Sequence, residues 1–279
     1  MGMIENHLAW CARRELRPTY IDEIRRTLTR LERTLGPLEL VGDVAVEDWW
    51  ANLSVCAGTR CAYAAHLSGF FRWLRYERIR EDDPTERLIR PRQHRGLPRP
   101  IAEERLRLAL KRAEPPLDAW LSLAAYMGFR ACEIASLHGE DIRGDRILVR
   151  DGKGGKQRIL PLHPKVSELL HGVPGRGPVF RNATGGQLTS NVVSQRTNRY
   201  LHGLGISETI HQCRHWFGTA VYRQSRDLRL TQELMGHSSP LTTAGYAAWA
   251  SEAAAEVISA LVIGEIEAEA VDGSDRLTA

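Results

Sequence analysis

The 279-residue sequence predicts a mainly helical protein of two domains, the second an α+β unit that is mostly helical with a small antiparallel β-sheet. Three observations carry this reading. Apolar residues recur at helical spacing in most segments, and β-favourable runs occur only around one glycine-rich stretch at 151–156. A proline- and arginine-rich stretch at 91–100 separates two halves. With 43% hydrophobic residues, each half has enough apolar content for a core of its own.

The first strong helix spans 19–35, where Ile21, Ile24, Leu28, Leu31 and Leu35 share a face, with Thr19 as candidate N-cap and Gly36 as stop. Its opposite face carries Arg25, Arg26, Arg30 and Arg33, either a solvated stripe or a contact to a DNA backbone. A short helix at 46–53 follows. A longer one at 59–78 places Tyr63, Leu67, Phe70, Phe71 and Leu74 on one side and also bears Arg60 and Arg72. Asp83-Pro84 closes this region, giving a helical domain over 1–90 and a linker over 91–100.

Beyond the linker, helices are expected at 102–113, 117–127 and 131–137. Strands at 146–150 and 157–162 flank Asp151-Gly152-Lys153-Gly154-Gly155-Lys156, a hairpin signal. Helices resume at 189–204, which contains Arg196 and Arg199, then at 211–223 and 227–235. A last helix at 252–263 offers Ala255, Val257, Ile258, Leu261 and Val262 as an apolar face. The second domain therefore covers 101–263, and 264–279 is expected to be a flexible acidic tail.

Composition narrows the function. No apolar run is long enough for a bilayer span and the first ten residues lack a signal-peptide pattern, so a soluble cytoplasmic protein is expected, with no membrane partner. Five scattered cysteines make neither a disulfide framework nor a paired zinc pattern, and Cys56, Cys61 and His66 read as helix residues rather than metal ligands. The net charge is +4, but residues 263–279 hold five acids and one base, so residues 1–262 carry +8. That excess suits a polyanion. Only four of the 38 basic residues are lysines, and two of them, Lys153 and Lys156, sit in the glycine-rich turn.

Four local wordings stand out in the second half: Met127-Gly128-Phe129-Arg130-Ala131-Cys132-Glu133-Ile134, then Gly152-Lys153-Gly154, then His211-Gln212-Cys213-Arg214-His215, then Met235-Gly236-His237 with Tyr246 nine residues on. In this order they resemble the tyrosine recombinase family, the phage integrases and Xer-type recombinases. Phe70-Phe71-Arg72-Trp73-Leu74 and Asp83-Pro84 resemble its helical core-binding domain. Two positions depart from the family pattern: Cys213 stands where Leu is usual, and Gly245 precedes the tyrosine. Neither removes a reacting group. Gly245 is expected to give the backbone beside Tyr246 freedom to move.

The resemblance implies an N-terminal four-helix SAM-like core-binding domain and a catalytic domain that breaks and rejoins DNA without metal, ATP or other cofactor. It implies Tyr246 as nucleophile, a 3′-phosphotyrosyl link with a free 5′-hydroxyl, Lys153 as the acid for the leaving oxygen, and strand exchange through a Holliday junction. It further implies double-stranded attachment sites as partner, a homotetramer joined through the C-terminal helix in trans, an excision-directing or host DNA-bending factor, and a nucleoid location in a bacterial host. A phage or mobile-element integrase is the expected identity. A short recombination site is expected because the core-binding region lies so close to the first residue.

The residues support the same chemistry in their own right. Arg130 and Arg214 carry permanently charged planar forks suited to a phosphodiester and its transition state. Tyr246, mostly protonated at neutral pH, needs a proton acceptor or a cationic surrounding, which His211 and His237 are able to supply. Glu133, one turn after Arg130, is placed to orient an Arg or His. DNA contacts are expected from Arg25, Arg26, Arg30, Arg60, Arg72, Arg196 and Arg199. The alternatives are a Xer-like resolvase, a type IB topoisomerase-like nicking and resealing enzyme, and a DNA-binding regulator without catalysis. For the C-terminal Leu277-Thr278-Ala279, a degradation tag and a tail without function stand side by side.

Overall fold

The computed structural model describes residues 2–91, 97–150 and 157–236. The chain divides into two compact units, Met1–Arg95 and Gly96–Ala279.

Among the described residues the first unit contains four α-helices: α1 (Met3–Arg13), α2 (Pro18–Leu35), α3 (Asp43–Ala51) and α4 (Ala57–Tyr76). Helix α2 starts one residue before the expected Thr19 cap, because Pro18 occupies the first helical turn, where its missing N–H costs nothing. It stops at Gly36, which takes a positive φ of 82°. The core joins Leu8 of α1, Leu28 and Leu31 of α2, Val46 of α3, and Phe70 and Phe71 of α4. Arg80, just beyond α4, donates to the carbonyls of Leu38, Glu39 and Val41 at 3.3, 3.1 and 2.7 Å. One side chain thereby satisfies the turn between α2 and α3.

Helix α1 is not among the elements expected from the sequence. Its Ile4, Leu8 and Cys11 lie at helical spacing and are buried, but His7 is buried beside them. A polar residue on the inward face broke the apolar pattern.

In the second unit the elements run α5 (Glu103–Arg112), α6 (Leu117–Met127), α7 (Ala131–Ala135), β1 (Ile142–Arg143), β2 (Arg146–Val149), β3 (Arg158–Pro161), α8 (Pro164–Leu169), α9 (Ser190–Gly203), α10 (Ile210–Ser225) and α11 (Leu228–Met235). Helix α6 is buried almost all round, from Ala119 to Ala125, and packs against α8, α9 and α10. A helix apolar on every side is a central one. The sheet is an antiparallel meander in the order β1-β2-β3, with Ile147 opposite Leu160 and Val149 opposite Arg158. Side chains alternate across a strand, so Arg158 and Leu160 share one face, and Leu160 is buried while Ile159 is 63% exposed.

Two glycines with left-handed backbones end helices at the same region. Gly128 closes α6 with φ 64°, and Gly236 closes α11 with φ 61°. Both termini leave carbonyls without helical partners, and these carbonyls become part of the site.

Candidate phosphodiester-binding site

Glu133 is the centre of a charge cluster in the second unit. Its side chain is fully buried, and three guanidinium groups approach it. Arg130 donates its backbone N–H to Oε2 at 2.8 Å and Nη1 to Oε1 at 2.7 Å. Arg158 donates Nη1 to Oε1 at 2.8 Å and Nη2 to Oε2 at 2.9 Å. Arg214 places Nη1 3.7 Å from Oε2. Burial alone would raise the Glu133 carboxyl, but the hydrogen bond and charge of Arg158, then the charge of Arg214, hold it below the usual carboxylate range.

The helix termini supply the remaining acceptors. Arg214 donates Nη1 to the Gly128 carbonyl and Nη2 to the Met235 carbonyl. Arg130 Nη2 lies 3.4 Å from the Met235 carbonyl and 3.2 Å from that of Gly236. The guanidinium of Arg130 therefore meets the C-terminal end of α11, whereas the end of α6 is held by Arg214. The negative ends of two helix dipoles and one carboxylate stabilise the guanidinium pair. Arg214 itself is 1% exposed.

Helix α10 brings the third residue. Thr209 N–H donates to Gln212 Oε1 at 2.6 Å, and the Ile210 N–H donates to Asn198 Oδ1 at 3.0 Å, which fixes the first turn. His211 and Arg214 then lie one turn apart, with the His211 and His215 rings 4.5 Å apart edge to face. Burial first, then the charges of Arg214 and Arg130, lower the His211 pKa. Burial, His211 and Arg214 press His215 down to about 4. Both shifts favour the neutral imidazole. Cys213, on the opposite side of the helix, is fully buried and its thiol is pushed up to about 12, mainly by burial.

Arg130, Glu133, His211 and Arg214 are thus brought together. Lys153, His237 and Tyr246 lie outside the described residues, as do Lys156, Gly245, residues 252–263 and the tail at 264–279. Two described elements adjoin these positions in sequence: β3 begins five residues after Lys153, and α11 ends two residues before His237. Arg158 escaped the sequence reading although it binds Glu133 through both terminal nitrogens.

The arginines expected to contact DNA divide by environment. Arg26 and Arg72 are exposed; Arg26 makes a bond to the Asp22 carbonyl within its own helix at 3.2 Å. Arg25 pairs with Glu5, and Arg30 lies over the Tyr63 ring at 6.0 Å. Arg60 donates to the Leu53 carbonyl and sits 5.4 Å from the Trp50 ring. In the second unit Arg196 stacks over Trp120 at 5.2 Å and Arg199 is exposed. Among the described residues no group of three or more His, Cys, Asp or Glu is placed to hold a metal ion. No helix among them is long and apolar enough to cross a membrane.

Comparison with known proteins agrees with this geometry. The family model for the phage integrase family matches residues 101–252. The tyrosine recombinase XerC of Rhodospirillum centenum is 34% identical over 210 residues, covering 68% of this chain and 62% of that protein. The tyrosine recombinase XerD of Vibrio cholerae is 26% identical over 275 residues, covering 90% and 88%. A lambda integrase dimer bound to a COC′ core site has the same fold, with a TM-score of 0.71 at 19% identity over 88% of this chain and 75% of that one. With the family match spanning most of the second unit, including the Glu133 cluster, the chain belongs to the phage integrase family, the tyrosine-type site-specific DNA recombinases that cleave and rejoin DNA.

Proposed function

We propose that this chain is a phage or mobile-element integrase that joins two double-stranded attachment sites through a covalent tyrosyl intermediate. The observation that carries the proposal is the convergence of Arg130, at the start of α7, with His211 and Arg214, one turn apart on α10, where the two guanidiniums flank Glu133 and share the Met235 carbonyl as acceptor. Fixed acceptors on one side orient each fork, so that a phosphodiester meets cations already in position.

In the proposed reaction the Tyr246 hydroxyl oxygen attacks the scissile phosphorus and loses its proton to a neighbouring imidazole. His211 is suited to that task, because an imidazole kept neutral by burial and two arginines accepts a proton. The bond from phosphorus to the 5′-oxygen breaks, and Lys153 protonates the departing oxygen. His237 donates a hydrogen bond to the developing oxyanion. The phosphotyrosyl diester retains the bond's energy, so a new 5′-hydroxyl reverses the step without ATP. Four protomers exchanging strands in pairs would pass through a Holliday junction, each extending its 252–263 helix to a neighbour.

Trapping tests this directly. A pool of nicked duplexes with randomised arms is incubated with the full-length chain in EDTA, and protein that has become linked to DNA is recovered. Wild type should yield a covalent band resistant to denaturant, and Tyr246→Phe should yield none. A band of equal intensity from Tyr246→Phe would overturn the assignment. The XerC and XerD relatives favour a second reading, a Xer-like resolvase. Two unlike partner sequences in the recovered DNA would support integration, and one repeated sequence would support resolution.

A further inference from the structure

Helix α10 carries His211 in its first turn, the part of a helix that frays most readily because its N–H groups have no partner within the helix. Packing on α6 holds the body of α10. At the first turn the Thr209 N–H is satisfied from within, by Gln212 Oε1 at 2.6 Å, whereas the Ile210 N–H donates to Asn198 Oδ1 of α9 at 3.0 Å. Among the described residues Asn198 is the side chain that reaches these N–H groups from another helix. Helix α9 is itself well anchored, with Val193, Thr197 and Leu201 buried. It packs closely on α7, which Arg130 begins, and only lightly on α10.

We propose that Asn198 is a positioning residue for the recombination reaction: its carboxamide oxygen pins the first turn of α10 to α9 and so holds the His211 imidazole at a fixed place relative to Arg130. This rests on the proton-accepting role assigned above to His211.

Light packing between α9 and α10 leaves a single hydrogen bond to set how the first turn sits. Burial, then Arg214 on the same helix, then Arg130 at the start of α7 lower the His211 pKa, and the His215 ring lies 4.5 Å away. Each of these influences depends on where the ring is. Without the Asn198 oxygen the Ile210 N–H must turn to water, and the opened turn carries the imidazole toward solvent and off both arginines. Every one of those changes raises its pKa back toward 6.5. An uncharged acceptor also suits this place. A carboxylate there would hold the turn equally well but would favour the imidazolium, which cannot take a proton from a phenol.

NMR of the histidine-labelled full-length chain reads this placement without a target sequence, the His211 resonance being assigned by its loss in His211→Gln. Asn198→Ala should raise the His211 titration midpoint by about half a pH unit or more. Val193→Ala, which loosens the core face of the same helix, should leave the midpoint as in wild type. Cleavage of the nicked duplex recovered by trapping, at saturating DNA and about pH 8, should slow about tenfold in Asn198→Ala while DNA affinity stays within about twofold. Asn198→Asp, whose carboxylate accepts the same N–H, should recover the rate to within about threefold of wild type. An unchanged His211 midpoint in folded Asn198→Ala, an equal rise in Val193→Ala, or an Asn198→Asp rate no better than that of Asn198→Ala would each overturn the inference while the role of His211 stands. So would wild-type cleavage by Asn198→Ala. Should Asn198→Ala fail to fold, Asn198→Ser, whose hydroxyl is too short to reach the Ile210 N–H, takes its place under the same criteria. If His211→Gln cleaves at the wild-type rate, the proton-accepting role itself falls and the inference with it.

Discussion

Glu133 caps the helix that Arg130 begins: its Oε2 accepts the Arg130 backbone N–H at 2.8 Å while Oε1 accepts the same residue's guanidinium at 2.7 Å. Helix α7 is only one turn long, so this double bond fixes the orientation of Arg130 that the helix could not fix by itself. Removing the carboxylate leaves three guanidiniums without their shared buried counter-charge. Glu133→Ala should therefore lose about 3–5 kcal/mol of stability in urea unfolding. Glu133→Gln, which can still accept the Arg130 N–H, should lose clearly less. Equal losses would mean that the charge is immaterial.

Gly128 is predicted to be intolerant for two separate reasons. Its φ of 64° is a left-handed conformation that costs an L-residue about 1 kcal/mol or more, and a Cβ there would come 2.4 Å from Phe217 Cδ1. The ring of Phe217 must shift for any side chain to fit. Gly128→Ala should lower stability by about 2–3 kcal/mol in total and disturb the carbonyl that receives Arg214 Nη1. A thermal midpoint unchanged from wild type would contradict this.

Acid should destabilise the first unit through His7. This side chain is 2% exposed among Trp10, Phe70 and Trp73, and burial lowers its pKa from 6.5 to about 4. Below pH 6.5 the unfolded chain takes up a proton that the folded one refuses until about pH 4. Stability is thus complete above pH 6.5 and falls as pH drops through that window, by about 1.4 kcal/mol per pH unit and roughly 3 kcal/mol in all. His7→Phe, which is apolar throughout, should remove most of this dependence. Urea midpoints measured at pH 7 and pH 4.5 for both proteins decide the matter, and parallel losses would reject it.

What the sequence disclosed follows from which signals are local. The helices α2, α4 and α6 were legible because an apolar stripe of three or more turns names its own buried face, as Ile24, Leu28 and Leu31 do. Arg130, Glu133, His211 and Arg214 were legible because each sits in a short distinctive wording. Arg158 had no such wording, being one of 34 arginines, and its partners Glu133 and Gly236 are 25 and 78 residues away. A signal existed in the strand register. Leu160 faces the core, so Arg158, two residues earlier, had to face inward too and required a buried acid. The hydrogen bonds of Arg130 and Arg214 to the Met235 carbonyl could not be read, since they depend on where α11 ends in space.

The exposed arginines of the first unit should differ in how they meet DNA. Arg26 and Arg72 have no ion pair among the described residues, so both are able to exchange water for a phosphate. Arg60 is already committed, to the Leu53 carbonyl and the Trp50 ring. Each phosphate contact contributes about 0.9 to the slope of log affinity against log salt concentration. Arg26→Ala and Arg72→Ala should each reduce that slope by about 0.9 on an arbitrary duplex, with little change in thermal midpoint. Arg60→Ala should do the reverse, lowering the midpoint by a few degrees through loss of its packing on Trp50 while leaving the slope nearly unchanged. Anisotropy titrations of a labelled duplex at several salt concentrations, paired with melting curves, separate the two classes. A salt slope that falls for Arg60→Ala but not for Arg26→Ala or Arg72→Ala would show that exposure in the free protein does not select the DNA-facing residues.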